Sequence, residues 1–345
     1  MPRNHQSVKP LRRPTRRAAL TQGGAFFAAQ ALSPTLARAA PTGTLFVTPP
    51  PAVIYDPGPG RRDRPQRLAA VESALADQPF NALLRAEAPR ALLDALLRVH
   101  DAAYISRIEA RRPTGVDDAP MSPGACEAAA RAAGGAALAV DAVMRGVAKN
   151  AFVATRPPGH HALPRAPMGF CFFNNAAVAA RHAMAAHGAE RVAVVDFDVH
   201  HGNGVQEIFW AEKNVLYCST HQTPLYPGTG AVSECGALDN IVNAPLAKGD
   251  GGEAFRAAFG ERILPRLNAF GPDIIILCAG FDARLHDPLG GLRLVESDFA
   301  EVTLRIMEVA ARRCGGRVVS LLEGGYRPED LAACVAAHVG ALMRA

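Results

Sequence analysis

Four stretches of the chain are apolar almost without interruption, and each is bounded by polar or glycine-rich segments. They cover residues 151–155, 191–196, 273–279 and 317–322. Runs of this length are typical of strands buried on both faces of a parallel sheet. Further runs at 45–47, 215–220 and 241–246 predict additional strands of the same sheet.

Segments with apolar residues at helical spacing alternate with these strands. They predict helices at 61–76, 91–99, 102–108, 123–147, 175–187, 205–211, 253–268, 297–313 and 328–343. The glycine pair inside 123–147 indicates close packing against a neighbour. Alternation of strand and helix predicts an α/β fold, a mostly parallel sheet with helices on both faces. Nothing in 41–345 is typical of a linker, so the pattern predicts one domain.

Polar loops follow the four apolar strands, at 156–162, 198–204, 280–282 and 323–326. The carboxyl ends of parallel strands point the same way, and open α/β sheets bind ligands at that edge. We therefore expect the four loops to converge on one crevice.

Metal ligation is the first chemistry that these loops predict. Asp198 and His200 are two residues apart, so in extended chain their side chains leave on the same side. With Asp282 they supply three ligands and leave one position open, the arrangement of catalytic zinc. Zinc lowers the pKa of its bound water to about 7.

Proton transfer is the second chemistry that these loops predict. One of the adjacent imidazoles of His160 and His161 would serve as general base and acid. The Tyr326 hydroxyl would stabilise an oxyanion.

Composition removes two classes of function. The net charge is +5, but residues 1–39 carry seven basic residues and no acidic ones. The remainder holds 30 basic against 32 acidic residues, which does not predict nucleic-acid binding. The seven cysteines include no C-x-x-C pair and predict neither a disulfide framework nor a thiolate zinc site.

The basic leader predicts export. Arg16 and Arg17 precede a weakly apolar run at 18–32, and small residues flank Arg38. This resembles a twin-arginine signal peptide over residues 1–39, with 40–345 as the mature, periplasmic catalytic domain. The run is too short and broken to be a stable membrane anchor. Two alternatives remain open, a disordered basic tail and a start codon assigned too far upstream, which would leave the protein cytoplasmic.

Six motifs together resemble one enzyme family. They are RPPGHHA at 156–162, GFCFFNN at 169–175, VDFDVHHGNG at 195–204, YPGTG at 226–230, AGFDA at 279–283 and EGGY at 323–326. In their order and spacing, these motifs are similar to those of the zinc-dependent histone deacetylase family. They most resemble its class II-like bacterial branch of histone deacetylase-like amidohydrolases and acetylpolyamine amidohydrolases. The resemblance runs from about residue 55 to the C-terminus.

The resemblance implies an arginase-deacetylase fold with about eight strands, and it implies roles for named residues. Zinc would be held by Asp198, His200 and Asp282. His161 would be the general base and acid, with His160 its electrostatic partner held by Asp196, and Tyr326 would polarise the carbonyl. Asn203 would set how basic His161 is, because some members carry Asp there and Asn removes that charge.

Substrate and potassium sites follow from the same resemblance. Gly169 and Phe170 would line one wall of the substrate tunnel, Tyr226 and Gly324 would also face it, and Asp118 would be a rim residue, with Asp117 as an alternative. Structural potassium would lie at Asp196 and Ser219 together with Asp198 and His200, and a second potassium near Phe209 and Val215. His201 would be structural.

The implied function is removal of acetyl or another short acyl group from an amine. The substrate would be an acyl-lysine side chain, an acetylpolyamine or another small acylamide, and a homo-oligomer is compatible with the sequence. Two alternatives stay open: a non-catalytic acyl-lysine-binding homologue, and an arginase-like hydrolase with two manganese ions. The number and type of metal ions per chain would distinguish the arginase-like hydrolase from a deacetylase with one zinc.

Overall fold

The structure is a computed structural model that describes Pro2, residues 43–116 and residues 118–345. Apart from Pro2, the predicted signal peptide lies outside the described residues, and so does Asp117. The described residues from 43 onward belong to one compact unit.

Eight parallel strands form a single sheet in the order β2-β1-β3-β8-β7-β4-β5-β6. They are β1 (Thr44–Thr48), β2 (Leu84–Glu87), β3 (Asn150–Val153), β4 (Val192–Asp196), β5 (Val215–Thr223), β6 (Ile241–Ala247), β7 (Ile274–Ala279) and β8 (Val318–Leu322). The predicted α/β fold with a parallel sheet is confirmed.

Helices cover both faces of the sheet. They are α1 (Gln66–Ala74), α2 (Leu93–Leu97), α3 (Ala102–Glu109), α4 (Ala125–Met144), α5 (Asn175–His187), α6 (Asn203–Phe209), α7 (Gly252–Ala258), α8 (Leu264–Phe270), α9 (Glu296–Cys314) and α10 (Pro328–Arg344). A π-helical turn, Phe259–Ile263, separates α7 from α8, so the helix predicted at 253–268 is three segments.

Each central strand contributes to two cores because successive side chains point to opposite faces. Val194 packs with α4 and α5 on one face, and Val195 packs with α9 and α10 on the other. This double burial explains why β3, β4, β7 and β8 are mostly apolar and buried along their whole length.

Two further differences separate the structure from the sequence prediction. The strand β2 was not predicted, because its four residues are mostly exposed and lie at an edge of the sheet. The helix predicted from residue 61 begins at Gln66, after Pro65. The glycine pair in α4 does mark close packing: a Cβ on Gly134 would lie 2.5 Å from the backbone nitrogen of Ala91.

The seven cysteines all lie in the described part of the chain, and none is paired with another. Among the helices of residues 43–116 and 118–345, none has the length and apolar character needed to cross a membrane.

Candidate active site

The loops after β3, β4, β7 and β8 meet at the carboxyl edge of the sheet. They surround a cavity of about 250 Å³, together with the β5–β6 loop and Asp118. Its lining residues are Asp118, His161, Gly169, Phe170, His200, Leu225, Tyr226, Leu289 and Tyr326. The strand order places β3, β8, β7 and β4 side by side, which is why their four loops converge.

Three donor side chains lie together at the base of this cavity. Asp198, His200 and Asp282 each offer one ligand atom, and these atoms lie within 4.8 Å of one another. Nδ1 of His200 is 3.0 Å from Oδ1 of Asp198 and 3.1 Å from Oδ2 of Asp282. All three residues are buried.

The charge and shape of this cluster fit a divalent cation. Burial raises the pKa of Asp282, and the neighbouring Asp198 carboxylate raises it further. Burial lowers the pKa of His200, but the two carboxylates outweigh it and raise that pKa to about 10. Two buried carboxylates thus face each other and draw a positive charge between them. One imidazole nitrogen and two carboxylate oxygens at this spacing form a donor set that binds zinc.

Backbone donors and glycines shape the cluster. The Gly324 N–H donates to Oδ2 of Asp198 at 2.8 Å, and the Val199 N–H donates to Oδ1 of Asp282 at 2.9 Å. A Cβ on Gly324 would lie 2.6 Å from Oδ2 of Asp198 and closer still to Asp282. The cradle therefore depends on a residue without a side chain at this position.

His160 is held as a cation. Its Nδ1 donates to Oδ2 of Asp196 at 3.0 Å, and its Nε2 is 3.9 Å from Oδ2 of Asp198. Burial lowers the pKa of His160, but Asp196 and then Asp198 outweigh this and raise it to about 10. The Glu323 carboxylate also accepts the His160 backbone N–H at 3.2 Å.

His161, in contrast, is held neutral. Burial lowers its pKa well below the ordinary value, and the neighbouring His160 and His200 lower that pKa further. Its Nδ1 lies 2.8 Å from Oδ1 of Asn203, which can only accept a hydrogen bond. With the proton on Nδ1, the Nε2 lone pair is available as a base.

Tyr326 is fixed from three sides. The guanidinium carbon of Arg67 lies 4.8 Å from the centre of its ring, and Phe170 meets the ring edge-on at 5.9 Å. Its backbone N–H donates to Oδ2 of Asp287 at 2.7 Å. Burial raises the pKa of the phenol well above its ordinary value, so the hydroxyl stays a proton donor.

A buried ion cluster beneath the site was not predicted from the sequence. Asp63 bridges Arg67 and Arg156, with Oδ1 2.7 Å from a guanidinium nitrogen of each. Nε of Arg67 donates to the Gly325 carbonyl at 2.6 Å, which anchors the loop that carries Tyr326. The Asp63–Arg67 spacing of four residues in a helical pattern was the one available signal. Asp287 was also missed, since nothing local marks it.

The tunnel walls meet at Asp118. Its Oδ2 accepts the Gly169 N–H at 3.1 Å and the Tyr226 hydroxyl at 2.9 Å. Phe170 lines the cavity in the left-handed backbone region, with φ of 67°. Asp118, Gly169, Phe170 and Tyr226 therefore lie around one opening, whereas Gly324, which was also predicted to face it, lies against the Asp198 and Asp282 carboxylates and does not line the cavity.

The residues predicted for potassium lie behind the cluster. Asp196 and Ser219 are fully buried partners on adjacent strands β4 and β5. Phe209 and Val215 are buried at the end of α6 and the start of β5. Potassium binding itself stays a prediction. Nδ1 of His201 lies 2.7 Å from the Thr229 hydroxyl oxygen, and His201 is not in the donor cluster. Its structural role stays a prediction.

Comparison with known proteins gives concordant matches. The chain matches the histone deacetylase domain family over residues 61–342. It is 41% identical over 289 residues to the histone deacetylase-like amidohydrolase of Pseudomonas aeruginosa, covering 81% of this chain and 75% of that protein. It is 36% identical over 311 residues to the polyamine deacetylase HDAC10 of Homo sapiens, covering 84% of this chain and 46% of that protein. The crystal structure of the HDA15 HD domain matches with a TM-score of 0.82 and 35% identity, covering 87% of this chain and 88% of that chain.

Proposed function

The chain belongs to the histone deacetylase family, and from that premise we propose that it is a zinc-dependent amidohydrolase that removes acetyl or another short acyl group from an amine. One observation carries the proposal. His161, Tyr326 and His200 line the same cavity of about 250 Å³, and His200 belongs to the cluster of three metal donors with Asp198 and Asp282.

A zinc ion held by Asp198, His200 and Asp282 would supply Lewis-acid activation of water and of the scissile carbonyl. His161 accepts the proton of the attacking water at Nε2 and returns it to the leaving amine. Asn203 keeps the other ring nitrogen protonated and so fixes the orientation of the base.

Tyr326 and His160 supply the remaining electrostatics. The Tyr326 hydroxyl donates a hydrogen bond to the carbonyl oxygen as negative charge develops on it. His160 is charged through Asp196 and keeps the neighbouring imidazole neutral, because two adjacent cations in one buried site are costly. Arg67 and Asp287 hold the tyrosine in place.

The substrate class follows from the cavity. Phe170, Leu225 and Leu289 supply apolar walls that exclude water and suit an aliphatic chain. The Asp118 carboxylate at the rim can accept an N–H or attract a cationic amine. This supports acyl-lysine side chains and acetylpolyamines as substrates. Human HDAC10, one of the relatives, is named as a polyamine deacetylase.

The test measures zinc content and acetate release from an acetyl-lysine peptide and from an acetylated polyamine. We expect about one catalytic zinc per chain and turnover that chelation abolishes and zinc restores. Tyr326→Phe and His161→Ala should each lose most activity while keeping the zinc.

Three other outcomes would contradict the proposal. Absence of turnover on any acylamide with retained binding of acyl-lysine would indicate a non-catalytic binding protein. Two manganese ions per chain would indicate an arginase-like hydrolase. Full activity of Tyr326→Phe would remove the assigned role of the phenol.

We also propose that the enzyme acts in the periplasm. The support is the Arg16–Arg17 pair and the small residues around Arg38. Cell fractionation of the native chain and of a variant with both Arg16 and Arg17 changed to Lys tests this. Equal distribution of the two proteins would contradict export by the twin-arginine route.

A further inference from the structure

A second cluster of metal-ligating side chains lies away from the candidate active site. It joins Asp141 near the end of α4 to His182 and His187 near the end of α5. Both helices lead into strands, so their ends lie at the amino edge of the sheet. The 13 residues of α5 correspond to about 20 Å, which separates this cluster from the carboxyl edge.

Three ligand atoms of this cluster point at one another. Nε2 of His182 lies 2.9 Å from Oδ1 of Asp141, and Nε2 of His187 lies 2.6 Å from the same oxygen. All three atoms lie within 4.8 Å of one another. Bond lengths of about 2.0–2.2 Å put tetrahedral zinc ligands roughly 3.4 Å apart, so an ion needs only a small outward movement of each side chain.

The side chains of this cluster are partly buried but still reach solvent. The side chains of His182, His187 and Asp141 are 14%, 11% and 25% exposed. An ion can therefore enter from solvent, and its fourth position stays open to water. The side chains come from two helices that pack against each other, which holds the donors in place.

We propose that Asp141, His182 and His187 form a second divalent-metal site that takes a borderline transition ion such as Zn²⁺ and cross-links α4 to α5. Two imidazoles and one carboxylate are a zinc donor set. The simpler arrangement, two N–H groups donated to one carboxylate oxygen, is the outcome that the test must exclude.

The surroundings predict that this site is weaker than the catalytic one. Nδ1 of His182 is buried with no hydrogen-bond partner in the described part of the chain. A missing outer partner of a ligating histidine typically costs 10–100-fold in metal affinity. A guanidinium nitrogen of Arg145 lies 3.7 Å from Oδ1 of Asp141 and would compete with a metal ion for that oxygen. The Arg145 side chain is 57% exposed, so it can move away.

The test titrates Zn²⁺ into full-length, tag-free enzyme that already holds one equivalent, with a chromophoric chelator as competitor. The wild type should bind a second equivalent at micromolar free Zn²⁺. His187→Ala and Asp141→Asn should bind only one, although Asn keeps an oxygen that accepts both N–H groups. Arg145→Ala is the matched control, since it removes a neighbour and no ligand, and it should bind two.

Turnover and thermal unfolding provide independent readouts. All variants should deacetylate at the wild-type rate, which shows that they fold. Zn²⁺ beyond one equivalent should raise the melting temperature of the wild type and of Arg145→Ala, and of neither ligand variant. The proposal is overturned if the wild type binds only one equivalent, or if the second equivalent persists in both ligand variants. A single zinc with normal turnover would contradict this site and leave the proposed function intact.

Discussion

Replacing Gly324 by Ala tests the candidate metal site with a single added methyl group. Gly324 lies two residues after the end of β8 and approaches both carboxylates of the cluster. The substitution keeps the backbone N–H that donates to Asp198, so no donor is removed. The variant therefore acts through the space that the new methyl group takes from the two carboxylates.

The magnitude follows from the distances. The added Cβ would lie 2.6 Å from Oδ2 of Asp198, whereas real Cβ contacts essentially never fall below 3.0 Å. That carboxylate must retreat by about 0.4 Å or more, twice the roughly 0.2 Å tolerance of a metal–ligand bond. Asp282 must move further, because its Oδ2 is closer to the new atom. Overpacking of this kind costs about 1–3 kcal/mol of unfolding free energy.

The assay combines zinc affinity, deacetylase turnover and denaturant unfolding. Gly324→Ala should bind zinc at least about 100-fold more weakly, since two ligands are displaced together, and turnover should fall in parallel. Gly260→Ala is the matched control, because its Cβ would meet nothing closer than a side-chain atom at 3.9 Å. It should keep wild-type zinc affinity and activity.

Wild-type zinc affinity and turnover in a folded Gly324→Ala protein would refute this account of the site. If that variant does not fold, Gly280→Ala supplies the second measurement. Its Cβ would lie 2.5 Å from Cβ of Asp198, and it should lose zinc for the same reason.

Three further predictions concern protonation and the tunnel. Asn203→Asp places a negative charge near Nδ1 of His161 and should move the acid limb of the kcat/KM profile upward by about one pH unit; an unchanged limb contradicts the pairing. Tyr226→Phe removes the hydrogen bond from the tyrosine hydroxyl to Asp118 and frees that carboxylate oxygen to bind the substrate. A new hydrogen bond of about 1 kcal/mol should lower KM about fivefold with kcat unchanged, and a raised KM contradicts this. Burial lowers the pKa of His100 to about 4, so the unfolded chain binds its proton more readily and stability should fall between pH 6.5 and 4, by about 2 kcal/mol at pH 5. Denaturant midpoints of His100→Gln should show a shallower loss over that window, and parallel curves would contradict the assignment.

Much of the fold was predictable because strands that are buried on both faces have an apolar pattern that can be recognised in the local sequence. A strand covered on both faces has no polar face, so β7 and the first four residues of β4 form continuous apolar runs. The strand β2 has no such signature. It is an edge strand with mostly exposed side chains, and its pairing with β1 defines it more than its own sequence does.

The sequence by itself determined which residue types stand at the ends of the strands. Asp198 and His200 lie two residues apart on one chain segment, and their common direction follows from the geometry of an extended chain. Asp282 could be added because parallel strands end at a common edge. The order β8-β7-β4 is what makes that edge one site, and it is a property of the whole sheet.

Only the tertiary structure decided the environments of these groups. His160 and His161 are identical side chains in adjacent positions, yet the Asp196 carboxylate raises the pKa of His160 despite its burial, whereas burial and then the neighbouring His160 lower the pKa of His161. Asp141 and His187 are 46 residues apart, and no local pattern relates them until α4 packs on α5. Protonation state and metal geometry depend on distances of a few ångströms between segments remote in sequence, so they arise only when the chain has folded.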